Sequence, residues 1–276
     1  MHALIRTASL FLGALGLTFN GIVGLGQFAH AADVHGDNGQ DRYVGGGGLV
    51  LPRSVDRGTR TKVAACADCR WRLATPCELT PPGMAFPGQS GCLSVARGCP
   101  GAGELLRVWF DAGAGWSDLG LICLRPGGPV TVAQLTGHVR AAFVKDLPPI
   151  APAMSPLRGI LAQIPVCFGA GQPGGGFTAQ YQVLGETVDL TGVPHWTWDF
   201  GDGASLSTHD PGGQFPVMAV SHAYRHAGFM QVAVRTDWTA SFRVDGLGPF
   251  PITEPVSQAA ALTVSIGEGR AVLAVR

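Results

Sequence analysis

The stretch "HWTWDFGDG", residues 195–203, sets two tryptophans, a phenylalanine, two aspartates and two glycines within nine positions. Two physical readings compete for it. Its acids could supply hard oxygen ligands to calcium, or it is a strand running into a tight turn. On a strand, side chains alternate between faces. Trp196, Trp198 and Phe200 would then share one face and Thr197 and Asp199 the other. Gly201-Asp202-Gly203 would supply the turn, glycine taking positive φ and Asp bonding to nearby backbone.

The surrounding residues favour the strand. Phe177, Ala179, Tyr181 and Val183 alternate with Thr178, Gln180 and Gln182. Met230, Val232 and Val234 continue the pattern, as do Trp238, Ala240, Phe242 and Val244. Each run predicts a half-buried strand. The breaks "GQPGGG", "GDGAS", "HDPGG" and "DGLGPFP" are turn-rich. Short alternating strands without intervening helices predict antiparallel β-sheets packed face to face.

"WTWDFGDG" resembles the W-x-F-G-D-G signature of PKD (polycystic-kidney-disease) modules. The resemblance continues in "VSHAYRHAGFMQVAVRT", residues 220–236, where His222, Tyr224, Gly228, Met230 and Val232 fill an H-x-Y…G-x-Y-x-V pattern. "GETVDLTG", residues 185–192, is similar to the family's early G-x-x-V-x-F strand, with Leu190 for the usual aromatic. Met230 stands where the family has Tyr. The likeness spans roughly residues 175–245. It implies an immunoglobulin-like β-sandwich, non-catalytic and displayed outside the cell. It further implies that Trp196, Trp198, Phe200, Gly201, Asp202, Gly203, His222, Tyr224 and Gly228 are structural. Such modules serve as spacers, adhesion units or contacts to protein or carbohydrate.

Other readings of the motif lose ground. A kinase DFG would need a glycine-rich loop, a Val-Ala-Ile-Lys lysine and an H-R-D loop, and the sequence has none. Asp199, Asp202 and Asp210 remain the calcium candidates, against obvious local turn roles for the first two. His222 and His226 have the H-x-x-x-H spacing of a helical zinc site. They lie in predicted strand and turn, so His222 is expected to pack against the Gly-Asp-Gly turn instead.

The chain has 276 residues, with Lys plus Arg 19 and Asp plus Glu 19. That balance gives no footprint for nucleic acid. "MHALIRT" followed by the apolar "ASLFLGALGL" and by "AHAA" has the three-part plan of a secretory signal peptide, with cleavage near Ala31. The alternative is an uncleaved N-terminal anchor, and either reading puts the rest outside the cytoplasm. No other membrane contact is expected, and no cofactor.

Residues 32–62 are polar and glycine-rich, and read as a flexible linker. Cys66, Cys69, Cys77, Cys92, Cys99 and Cys123 then cluster in residues 63–129, a region whose thin apolar content calls for disulfides. Cys66-Ala-Asp-Cys69 could instead begin a zinc site, but no second C-x-x-C or histidine pair completes it. Cys167 is the odd cysteine, expected as a buried apolar filler or as a disulfide partner of the cluster.

Residues 130–149 predict one amphipathic helix. Thr131 and Gln134 form a capping-box pattern, and Val132, Leu135, Val139, Phe143 and Leu147 recur at helical spacing. Pro148 and Pro149 end it. The fold expected is therefore mainly β. A small disulfide-rich region and one helix precede an immunoglobulin-like (PKD-type) antiparallel sandwich over residues 150–276.

Two functions are compatible with this plan. One is a non-enzymatic exported or cell-surface protein whose sandwich is an interaction or spacer module for an extracellular protein or carbohydrate. The other is an extracellular hydrolase with the sandwich as accessory. Its chemistry would use Asp68, Glu78, Glu104, Asp111, Asp118 and His138 in residues 63–150, two carboxylates converging on one cleft. No G-x-S-x-G, H-E-x-x-H or Walker sequence is present.

Overall fold

The computed structural model describes residues 41–82 and 99–269, so the segment expected to be a signal peptide, residues 1–31, and Cys92 lie outside the described residues. The front of the described chain is a sheet of four antiparallel strands in chain order: β1 (Asp41–Gly46), β2 (Arg70–Ala74), β3 (Glu104–Asp111) and β4 (Ser117–Leu124). Helix α1 (Arg57–Ala64) lies between β1 and β2 in sequence, and the Asp56 carboxylate caps it through the Thr59 amide. The sheet has its own core of Leu49, Leu51, Val63, Trp71, Leu73, Leu106, Val108, Phe110 and Ile122.

This corrects the reading of residues 32–62 as a flexible linker. Their described part, 41–62, holds β1 and most of α1, with Leu49, Leu51 and Arg60 buried. The glycines there serve close packing rather than looseness. A Cβ at Gly45 would lie 2.3 Å from the Trp71 ring. The region is also richer in core than composition implied. β2 and β3 bury side chains on both faces, so they lack the alternation that marks a half-buried strand.

Disulfides tie this region together. Cys66 pairs with Cys69 and Cys99 with Cys123. Cys77 is also disulfide-bonded. The Cys66–Cys69 bond removes the thiolates that a zinc site would need. Cys167 is free and buried, a filler rather than a disulfide partner.

Helix α2 (Val132–Asp146) starts at Thr131, with both halves of the capping box formed. Leu135, Val139, Phe143 and Leu147 are buried, the face that the spacing predicts. Beyond it, β5 (Ala153–Ser155), β6 (Val166–Gly169) and β10 (Ser221–His222) make a small antiparallel sheet in the order β10-β6-β5. β7 (Phe177–Val183), β8 (Glu186–Asp199), β11 (Gly228–Val244) and β12 (Leu247–Ile266) make a larger one in the order β12-β11-β8-β7, with β9 (Ser205–Thr208) on β8.

β8 and β11 alternate between one face that is mostly buried and one that is mostly exposed, and the covered face runs along nearly their whole length. Two different elements cover that face. Toward Val188, Leu190, Phe242 and Val244 the cover is α2, through Leu135, Val139 and Phe143. Toward Trp196, Trp198, Val232 and Val234 it is the small sheet, through Val166 and Phe168. The other face carries Asp189, Thr191, Val193, Thr197, Arg235, Thr239 and Arg243, all exposed.

Gly192 shows how closely α2 seats. A Cβ there would lie 2.9 Å from Phe143 Cζ and 3.5 Å from Trp238. Phe143 also meets the Trp238 ring edge-on at 6.0 Å. Gly192→Ala should therefore push Phe143 out of its seat and cost about 1–3 kcal/mol, the usual penalty for overpacking. Chemical denaturation checks this, and unchanged stability would contradict the close seat.

Candidate functional site

The opening motif forms the end of β8 and the turn after it. Trp196, Trp198 and Phe200 are buried on one face. The Trp198 and Phe200 rings lie 5.8 and 5.5 Å from that of Phe168. Trp198 Nε1 has no hydrogen-bond partner, so this residue acts through its ring. Gly201 has φ +80°, and a Cβ on it would lie 2.6 Å from the Gln231 carbonyl oxygen. The backbone there admits only glycine without displacement.

Asp202 organises the turn. Its Oδ1 accepts the Ala204 amide at 3.1 Å, and its Oδ2 accepts His222 Nε2–H at 2.7 Å. The His222 ring stacks on Phe200 at 4.4 Å and meets Tyr224 edge-on at 4.7 Å. The Tyr224 hydroxyl donates to the Phe200 carbonyl at 3.2 Å. So His222, Tyr224 and the Gly-Asp-Gly turn form one knot, in the packing the sequence predicts for His222. Burial works against the charge on Asp202. Hydrogen bonds from His222 and the Ala204 amide outweigh it and hold the carboxyl below its ordinary 3.8. Burial, then the Asp202 charge, pushes the Tyr224 hydroxyl up to about 12.

Each calcium candidate spends a carboxylate oxygen on a local backbone amide. Asp199 Oδ1 accepts the Gly201 amide at 2.9 Å, and Asp210 Oδ1 accepts the Gly212 amide at 2.9 Å. Among the described residues no three His, Cys, Asp or Glu side chains are grouped to hold a metal ion.

The carboxylates considered for hydrolysis are tied to arginines. Glu78 pairs with Arg72, Glu104 with Arg42, Asp111 with Arg70 and Asp118 with Arg107. Asp111 also accepts the Gly113 and Gly115 amides. The Arg70 bond and these amides hold its carboxyl below the usual range, the opposite of what a general acid needs. Asp68 and His138 are exposed.

Two further polar arrangements carried no sequence signal. On the uncovered face, Ser207 Oγ lies 3.3 Å from His195 Nε2, and His195 packs edge-on to His209 at 4.8 Å. Asp237 faces His195 across β8 and β11. Its Oδ1, however, accepts Arg235 Nε–H at 2.8 Å and the Ser257 hydroxyl at 2.5 Å. The carboxylate that would orient the histidine in a Ser-His-Asp relay is committed elsewhere.

The second arrangement is buried. Gln172 Oε1 accepts Trp196 Nε1–H at 2.9 Å and the Thr236 hydroxyl at 2.7 Å. Its amide nitrogen donates to the Pro148 carbonyl at 2.9 Å and to Gln258 Oε1 at 2.7 Å. Gln258 Oε1 also accepts Trp238 Nε1–H at 3.2 Å, and its amide nitrogen reaches the Pro148 carbonyl at 3.2 Å. Gln172 lies in "GQPGGG", which reads only as a turn.

No protein-family model matches the chain, and no curated protein matches it.

The Asp202 knot makes a signed prediction. A carboxyl held below 3.8 when folded adds stability above that pH and loses it as pH falls through its folded value. Wild-type protein should therefore lose more stability below pH 3.8 than Asp202→Asn, compared by thermal melts. Asp202→Ala should lower the Tm at neutral pH equally with and without EDTA. A Tm drop on adding EDTA to wild type, absent in Asp202→Ala, would make Asp202 a metal ligand and contradict this account.

Proposed function

We propose that residues 150–276 are an immunoglobulin-like, PKD-type β-sandwich within a non-enzymatic exported protein, acting as an interaction or spacer module for an extracellular protein or carbohydrate. The motif geometry supports the sandwich: two antiparallel sheets face each other around Trp196 and Trp198. α2 adds a second cover that the PKD resemblance does not imply. Export is supported by the N-terminal plan and by disulfides, which persist in oxidising compartments. Among the described residues, no helix is long and apolar enough to cross a membrane.

The observation that carries the non-enzymatic reading is the arginine pairing of Glu78, Glu104, Asp111 and Asp118. A glycoside hydrolase needs two carboxylates facing one gap, one of them protonated. Here each acid has its own cation, and the Arg70 bond with the Gly113 and Gly115 amides holds the Asp111 carboxyl below the usual range. The broad uncovered face, with Thr191, Thr197 and Thr239 exposed across adjacent strands, is the surface offered for contact.

The test uses the exported chain with cell-envelope polysaccharide and with surface-protein fractions, each assayed for binding and for hydrolysis. Saturable binding without released reducing ends or peptides is expected. Thr191→Arg combined with Thr239→Arg should weaken binding about tenfold or more at an unchanged Tm. Turnover of either material, lost in Glu104→Gln or Asp118→Asn, would overturn the reading.

A further inference from the structure

We infer that the chain pairs with a second copy of itself through the open edge of β12, joining two five-stranded sheets into one continuous sheet. Among the described residues β12 is the outermost strand, 20 residues long, and it pairs on one side only, with β11. An unpaired strand edge presents a row of free backbone donors and acceptors to any complementary strand.

β12 has two unlike halves. Its first half carries Pro249, Pro251 and Pro255, which lack the amide a ladder needs. The irregularities in its register with β11 fall in that half too, between Trp238 and Ala240 and between Phe242 and Val244. This half has the devices that blunt an edge. The second half, "VSQAAALTVSI" at residues 256–266, has none of them. It contains no proline and no charge, and its register with β11 is unbroken from Val256 to Ile266. A bare edge beside a guarded one indicates that the bare part has an occupant.

The sequence of the bare half suits a second copy. Pro255 closes one end of the window, and at the other the chain leaves to bridge Gly267 to Leu161. Antiparallel self-pairing is therefore centred on Ala261. In that register Ala260 faces Leu262 of the second copy, Ala259 faces Thr263, Ser257 faces Ser265 and Val256 faces Ile266. On the solvent side small side chains oppose small ones, with Ser257, Ala259, Ala261, Thr263 and Ser265 exposed; on the covered side Gln258, held by Gln172, faces the buried Val264. The flanking Glu254 lies beyond Pro255 and is paired with Arg140 at 3.1 Å. The opposite edge of the sheet offers no such window, because β7 is 7 residues long and β9 continues the edge as a separate short strand. The contact is isologous, so it closes at two copies. It would double the uncovered face and does not depend on what that face binds.

The test is sedimentation equilibrium on the exported chain and on two variants at the centre of the window. Wild type should show twice the chain mass at micromolar concentration. Ala261→Lys and Ala261→Glu should each be monomeric, because like charges directly opposite are destabilising. An equimolar mixture of the two should recover the double mass. Ala261 is exposed, so both variants should keep the wild-type circular dichroism and Tm. Should a variant misfold, wild-type hydrogen exchange decides: amides of 256–266 should exchange more slowly as protein concentration rises. Monomeric wild type at about 100 µM, a dimer indifferent to both substitutions, or concentration-independent exchange would overturn the inference.

Discussion

The fold depends on one continuous buried face that is longer than anything available to cover it. β8 and β11 run side by side in register from Val188 opposite Val244 to Asp199 opposite Ala233. Neither α2 nor the small β10-β6-β5 sheet covers that length. Just past α2, the Pro148 carbonyl meets Gln172 and Gln258, which also bond Trp196, Thr236 and Trp238. Two indole N–H groups, a hydroxyl and a proline carbonyl are thus brought into the interior. Unpaired, each would cost about 1–3 kcal/mol. Gln172 and Gln258 satisfy all of them, and Gln172 uses both amide hydrogens and accepts twice at its oxygen. Such a saturated network fixes register where an apolar seam would tolerate slippage.

The front region is fastened to the turns at one end of this sheet by charge. Asp245, in the turn between β11 and β12, lies 2.5 Å from Arg53 and 3.6 Å from Arg60. Arg125 bonds the Gly185 carbonyl and the Glu186 carboxylate at the β7–β8 turn. The Arg53 bond outweighs burial and, with the charges of Arg60 and Arg125, holds the Asp245 carboxyl below the usual range. The described residues of the front region thus bear on the ends of the long strands and leave the uncovered face free. The region's Glu78, Glu104, Asp111 and Asp118 carboxylates are paired with its own arginines.

Legibility in the sequence followed the period-two pattern closely. β7 shows strict alternation and was readable, as was α2 from its capping box and apolar spacing; β8 reads as two pieces, because Gly192 and Pro194 interrupt the apolar series that the structure runs as one strand. β11 reads as two strands because the apolar series lapses at Thr236. The structure makes it one strand of 17 residues, and Thr236 is buried because Gln172 accepts its hydroxyl proton. β12 was hidden by prolines and alanines, residues that suit an edge but carry no strand signature. β2 and β3 bury both faces and lose the alternation. The packing of His222 on the Asp202 turn was legible from residue types, and the place of Tyr224 beside it came from the resemblance. The Gln172 seam was not, since its five partners come from segments far apart in the chain.

Native-state hydrogen exchange on Gln172→Ala tests the shared seam most directly. In wild type, amides of α2 at 132–146 and of β6 at 166–169 should open with the same free energy, as parts of one cooperative unit. Gln172→Ala leaves the Trp196 and Thr236 donors buried without their acceptor, and protection should fall in both covers by similar factors. Loss confined to β6 with α2 unchanged, or no loss in either, would contradict the claim that one buried face and its polar seam hold the structure together.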